Sequence, residues 1–302
     1  MFTTVRRSLL GGVALAVLLA VGTGCSSDSG QADASSRVLE GLETLSDGNG
    51  GSPVTYLDAA KVRELSERDK SRFGIVGQPG GSLLNAYEPG PWGQHLKATQ
   101  IDTSVDTRNT GHWEGSFDVA AITTSMKSNG YKRSKGDGGG TWAHPGSTGP
   151  SFQISKNEIF YSAQGGATPM AAVDPKEGAS LADRKDYQRV VECLGDVYRV
   201  DFNPPAPQKA VRLSALGQQA DSAAENIETL CLVVKDEATA GRVAAKLRSV
   251  VRAKPSKFDG AKVTIEKGDQ PFVRAVVPDT AKQRPGRLMI SDVDLWMAAA
   301  EL

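Results

Sequence analysis

A chain of 302 residues with 35 Lys plus Arg against 35 Asp plus Glu carries no net charge. That balance, with no dense basic run, disfavours a nucleic-acid partner or a polybasic membrane surface. An apolar share of 39% with 23% charged residues is ordinary for a folded globular protein.

The amino terminus has no acid in its first 25 residues, two arginines (Arg6 and Arg7), and an uncharged run from Leu9 to Val21 built mainly from Leu, Val and Ala. Basic, then apolar, then small is the order of an export signal. As a helix the run is roughly 20 Å long, short of the ~30 Å hydrocarbon core that a permanent span must cross. Val21-Gly22-Thr23-Gly24-Cys25 follows, and then Ser26-Ser27-Asp28-Ser29-Gly30. Here the chain resembles bacterial lipoproteins with their lipobox, although Gly22 stands where that family usually has Leu. The resemblance implies a signal peptide over residues 1–24, diacylglycerol on the Cys25 sulfur, cleavage before it, and acylation of the freed amine by a fatty acid such as palmitate. Ordinary signal-peptidase cleavage after Gly22-Thr23-Gly24 is the alternative, and it would leave Cys25 a free thiol.

Cysteine arithmetic favours the lipid. With Cys25, Cys193 and Cys231 as the full set, assigning Cys25 to lipid leaves an even pair. Two or three acyl chains hold a protein essentially permanently, so the rest needs no membrane affinity of its own. Removing Arg6 and Arg7 leaves 33 basic against 35 acidic side chains in the exported part. The expected location is the extracytoplasmic face of the cell membrane.

Residues 25–53 are rich in Ser, Gly, Asp and Ala and read as the lipidated cysteine and a flexible tether. Val38, Leu39, Leu42 and Leu45 sit at helical spacing within it, enough for a turn or two. The body from about Val54 onward reads as α+β, with mixed or antiparallel sheets packed with helices. A helix over Asp58 to Leu65 is capped by Asp58 and turns Ala59, Val62 and Leu65 to one side. A short helix is expected around Leu83 to Tyr87 and a strand over Leu96 to Val105. Phe117 to Gly130 is a marked helix, with Asp118 as cap, Ile122 and Met126 on one face, and Gly130 at its end. Strands follow near Tyr131 to Ser134 or Thr141 to Ala143, and over Glu158 to Ala163.

The carboxyl half is more regular. It reads as a helix from Asp183 to Leu194, strands at Tyr198 to Phe202 and Ile227 to Val234, and a Pro-rich turn between them at Pro204 to Pro207. After Asp236 comes an amphipathic helix through Val243, Leu247, Val250 and Val251. Val263 to Glu266 and Phe272 to Val277 form a hairpin pair, Leu288 to Ile290 an edge strand, and Asp292 to Ala300 a last helix. Leu96 to Leu194 and Ile227 to Leu302 thus share the order strand, helix, two strands, helix. The expected division is therefore an N-terminal α+β module over residues 54–180 and a C-terminal one over 181–302, either duplicated or alike through common α+β grammar. Cys193 ends a helix and Cys231 lies in an apolar strand. An oxidising compartment favours a disulfide between them, and two separately buried thiols are the alternative.

Tyr56-Leu57-Asp58, Phe117-Asp118 leading to Asn129-Gly130-Tyr131, and Cys193-Leu194-Gly195-Asp196-Val197 also make the exported chain similar to uncharacterised lipoproteins of high-GC Gram-positive bacteria such as streptomycetes. That group carries no activity to transfer.

Motifs that would mark an active site are incomplete. His112-Trp113-Glu114 matches the start of a nucleotide-deaminase signature, but its Pro-Cys-x-x-Cys partner is missing. His95, His112 and His144 have no zinc-binding spacing, so no metal is expected. Gly-x-Ser-x-Gly and the penicillin-binding serine set are absent, and a Glu114 with Asp118 pair for glycoside cleavage is equally well explained by helix capping. Gly136-Asp137-Gly138-Gly139-Gly140 follows a helix instead of opening one, so it reads as a hairpin loop and no cofactor is expected. What remains is an aromatic and histidine cluster, Trp92, His112, Trp113, Trp142 and His144. It is either a surface for a glycan or protein partner or the edge of a small core. The leading expectation is a non-enzymatic binding or interaction lipoprotein of the envelope. A wall-directed hydrolase with an unfamiliar site and a solute-binding lipoprotein of a transporter are the alternatives.

Overall fold

The computed structural model describes residues 34–80, 83–84, 90–134, 140–146, 149–163, 169–204 and 209–300. The export segment, Cys25, most of the expected helix near Leu83 to Tyr87, the glycines from Gly136 to Gly139 and the prolines Pro205 and Pro207 lie outside them. The body is α+β, and among the described residues all strand pairs are antiparallel within one twelve-stranded sheet.

The strands, in chain order, are β1 (Val54–Asp58), β2 (Ile101–Thr107), β3 (Thr110–Gly115), β4 (Lys132–Arg133), β5 (Trp142–Ala143) and β6 (Ser151–Ile154). They continue with β7 (Glu158–Ser162), β8 (Arg199–Asn203), β9 (Val211–Ser222), β10 (Glu225–Val234), β11 (Lys262–Glu266) and β12 (Phe272–Asp279). Across the sheet they lie β11-β12-β10-β9-β8-β1-β2-β3-β7-β6-β5-β4. The seam between two wings is β1 against β8, with Val54 opposite Phe202 and Tyr56 opposite Val200. Outward from this seam the order is β1, β2, β3, β7, β6 on one side and β8, β9, β10, β12, β11 on the other. The two wings therefore share a topology, each a three-strand meander followed by a helix and a hairpin. The frame differs from the expected one: each matched unit opens with the helix and strand that meet at the seam, β5 and β4 extend the first wing alone, and the β1·β8 pairing joins both wings in one sheet.

Nine α-helical segments are described: α1 (Ala34–Glu43), α2 (Ala59–Arg68), α3 (Lys70–Phe73), α4 (Val119–Ser128), α5 (Lys185–Leu194), α6 (Glu237–Ala253), α7 (Pro255–Phe258), α8 (Arg287–Ile290) and α9 (Asp294–Ala300). Strand alternation sorts them between the faces. Tyr56, Val105, Val200, Phe202 and Cys231 point to the face covered by α1 and α5. Leu57, Trp113, Leu216 and Leu232 point the other way, towards α2, α4 and α6. The expected caps form, Asp58 accepting from the Lys61 amide at 2.8 Å and Asp118 from Ala121 at 3.0 Å, and Asp236 likewise caps α6 by accepting from Thr239 at 2.7 Å. Gly130 takes a φ of +83° behind α4, a conformation that a Cβ would oppose.

The expected tether ends sooner than composition implies. Val38, Leu42 and Leu45 are wholly buried against Tyr56, Val105 and α5, so residues from Ala34 onward belong to the body. Gly41 allows this approach: a Cβ there would lie 2.6 Å from Val105 Cγ2. Val38 and Leu42 on one stripe of α1, with Leu45 just past its end, each contribute roughly 1.5–3 kcal/mol when buried and outweigh the polar residues between them. On the same face, Cys193 of α5 and Cys231 of β10 form a disulfide with Cα atoms 6.1 Å apart.

The edge strand expected at Leu288 to Ile290 is instead the helical turn α8. Its cause is tertiary: the Glu228 carboxylate of β10 accepts from the amides of Arg287 at 3.0 Å and Leu288 at 3.3 Å, which caps the turn. Glu228 belongs to a buried polar cluster. Arg287 Nε donates to Asp279 at 2.6 Å, Asn226 Nδ2 to the other Asp279 oxygen at 2.7 Å, and Gln218 Nε2 to Glu228 at 3.0 Å. Burial, with Asp279 adding to it, pushes the Glu228 carboxyl up to about 8.

Candidate functional site

The tryptophans of the expected surface cluster are core residues. Trp92, Trp113 and Trp142 are at most 5% exposed and share one apolar cluster with Ile122, Met126 and Phe152. Trp92 meets Phe152 edge-on, and Trp113 Nε1 donates to the buried Asp106 at 2.8 Å. Asp106 also accepts from the Tyr161 hydroxyl at 2.7 Å, so the polar ends of two aromatics are satisfied inside. These rings present no stacking surface. His144 is exposed, with its ring edge-on to Tyr131, and His95 is exposed on a separate turn.

His112 and Trp113 are consecutive on β3 and therefore point to opposite faces. His112 lies in a cross-strand row, Tyr56, Val105, His112 and Phe160, on the side of α1. The Phe160 ring stacks on its imidazole with centroids 4.2 Å apart. Burial pushes the His112 pKa down to about 4 and so keeps the ring neutral. Two residues along the strand, on the same face, stands Glu114, and directly opposite it on β7 stands Glu158. His112 Nε2 lies 3.6 Å from Glu158 Oε1, and donor atoms of all three side chains fall within 4.8 Å of one another. Burial and then the negative charges of Glu158, Glu40 and Asp102 raise the Glu114 carboxyl above its ordinary range.

The i, i+2 spacing of His112 and Glu114 was visible in the sequence, but the strand β3 that turns both to one face was not. Glu158 was not legible either, because it arrives through the β3·β7 ladder after an intervening helix and hairpins. Asp118, the partner considered for Glu114, is committed to capping α4.

Beside this corner the sheet surface is hollowed twice. A recess of about 170 Å³ is lined by Glu158, Phe160, Gln153, Ser155 and Asp174. A groove of about 720 Å³ runs between β4 and β5 on one side and the 169–174 segment on the other. Lys132 and Arg133 line its cationic wall, Met170, Ala171 and Val173 its apolar one, and Asp174 borders both hollows. Asp174 has a φ of +50°, held by its amide donating to the Thr44 carbonyl at 2.9 Å. The groove matches the size of small-ligand clefts and combines apolar area with a few charged groups.

Among the described residues no helix is long and apolar enough to cross a membrane. Comparison with protein-family models, with curated proteins and with solved structures finds no significant match.

Proposed function

We propose that this chain is an extracytoplasmic lipoprotein, anchored to the cell membrane through lipid on Cys25, whose body is a non-enzymatic binding protein of the envelope. The observation that carries the binding reading is the groove of about 720 Å³ with Lys132 and Arg133 facing Met170, Ala171 and Val173. Such a lining suits an envelope protein segment or glycan that offers an apolar part and an anionic group. Support for the anchor is the sequence around Cys25 together with the Cys193–Cys231 disulfide, which leaves Cys25 without a disulfide partner in the chain. Because the body begins by Ala34, only the eight residues Ser26 to Asp33 separate it from the lipid. Fully extended they reach at most about 28 Å at roughly 3.5 Å per residue, so the binding surface works close to the bilayer.

Two measurements test this reading. Intact mass of the native protein should give a chain starting at Cys25 plus a diacylglycerol, and Cys25→Ser should release the protein from the membrane. For binding, a panel of anionic glycans and acidic amphipathic peptides should raise the melting temperature of the wild type and not of Ala171→Trp, which fills the groove. Ligand binding undiminished in Ala171→Trp would remove the groove from the proposal. Turnover of an envelope substrate that depends on a groove side chain would overturn the non-enzymatic part.

A further inference from the structure

We propose that His112 Nε2, Glu114 and Glu158 form a binding site for a divalent transition-metal ion of the zinc class, independent of the ligand taken by the groove. One nitrogen and two carboxylate donors already lie within 4.8 Å of one another. A tetrahedral ion with bonds of roughly 2.1 Å holds its ligands roughly 3.4 Å apart. His112 and Glu158, at 3.6 Å, nearly have that spacing. Glu114 is exposed at its outer end and can close the remaining distance by a rotamer change.

An acidic cluster alone would not require an ion; the histidine supplies the independent observation. Its side chain is only 4% exposed, and its Nε2 points at Glu158 without a hydrogen-bond partner among the described residues. An orphaned buried ring nitrogen is costly unless something occupies it. The carboxylates have a matching deficit. Glu114 and Glu158 are directly opposed across the ladder, an arrangement that like charges disfavour. Arg37 and Arg63 pair with other carboxylates, Asp58 and Asp102. No Lys or Arg among the described residues pairs with either glutamate. One bound cation would satisfy the nitrogen and relieve the repulsion together.

The donor set also selects the ion. Calcium and magnesium take oxygen ligands and leave imidazole aside, whereas zinc and its neighbours bind neutral imidazole and carboxylate readily. The Phe160 ring stacked on His112 fixes the imidazole plane. Three protein donors leave a fourth position for water or another ligand, and a recess of about 170 Å³ borders Glu158.

The test is a Co²⁺ and Zn²⁺ titration of the tag-free full chain carrying Cys25→Ser, so that no free thiol competes. One ion should bind per chain, Co²⁺ should develop visible d–d bands, and Zn²⁺ should displace it. Glu158→Gln, at a half-exposed position that does not threaten folding, should weaken binding at least about tenfold. Glu114→Gln with Glu158→Gln should abolish the bands while the metal-free melting temperature is maintained or raised, since the repulsion is gone. In long-range ¹⁵N spectra the His112 Nε2 resonance should move on Zn²⁺ addition and its Nδ1 much less. Absence of saturable one-to-one binding, or equal affinity in wild type and Glu158→Gln, would overturn the site.

Discussion

Replacing Arg287 by Met removes the cation from the most deeply buried ion pair described here. The Arg287 and Asp279 side chains are 4% and 0% exposed, and the replacement keeps volume while leaving Asp279 with only Asn226 as a side-chain partner. Breaking a buried pair from one side costs roughly 3–5 kcal/mol, because the remaining charge is uncompensated. At roughly 2–4 °C per kcal/mol for a body of this size, the melting temperature should fall by roughly 10 °C. Arg287→Met with Asp279→Asn removes both charges and should recover most of the loss. The pH dependence has a definite sign. Glu228, raised to about 8 in the fold, holds its proton there and releases it at about 4.3 in the unfolded chain. Between those values the folded state binds more protons, so its contribution is present below about 4.3 and is lost as pH rises through about 8. Without Arg287 both carboxyls lose their cation, and the deficit should be larger at pH 9 than at pH 5.5. Equilibrium urea denaturation followed by tryptophan fluorescence, with an unchanged slope, measures all of this. A double variant as unstable as the single one would refute charge compensation as the cause.

Three other expectations concern the scaffold. Gly41→Val should destabilise the fold by roughly 1–3 kcal/mol, since its Cβ meets Val105, and should open residues 34–53 to protease. Gly51→Val, with nothing within 4 Å of the added carbon, is the control that should leave cleavage unchanged. Removing the disulfide with Cys193→Ala and Cys231→Ala should cost roughly 4 kcal/mol for a 38-residue separation, read as a lower denaturation midpoint than that of the oxidised wild type. Asp106→Ala orphans the Trp113 and Tyr161 donors and should cost roughly 2–5 kcal/mol, accompanied by a shift in Trp113 emission.

How much of this was legible in the sequence depended on whether the cause was local. Asp58, Asp118 and Asp236 cap helices through side chains that reach only three residues, and all three starts could be read. Strand β10 could also be read from Leu230 to Val234, an uninterrupted apolar run buried on both faces. Its neighbour β9 could not: Gly217 and Gln218 break the pattern, yet Gln218 is buried because its amide serves Glu228 and Asn226 on the next strand. Leu288 to Ile290 has strand-like composition, and a carboxylate nearly sixty residues earlier makes it a helical turn. The tryptophans fell near Gly- and Pro-rich segments, and only the β3 register could assign Trp113 to the interior. The same alternation sent His112 to the other face, towards a glutamate that no local spacing predicts.

The seam pairing of β1 with β8 bears on how such a chain comes into being. Delivered amino end first, β1 and β2 can pair as soon as Thr107 emerges, but the other edge of β1 waits for Phe202. At roughly 5–20 residues per second that interval is on the order of 5–20 s. Throughout it the future seam of the sheet is an open edge, the kind of template on which neighbouring chains pair. α1 is also without α5, which completes its pocket. The wings share a topology, yet the amino-terminal one is born incomplete. A chain stopped before β8 should therefore aggregate or be degraded instead of persisting as a half-sized domain.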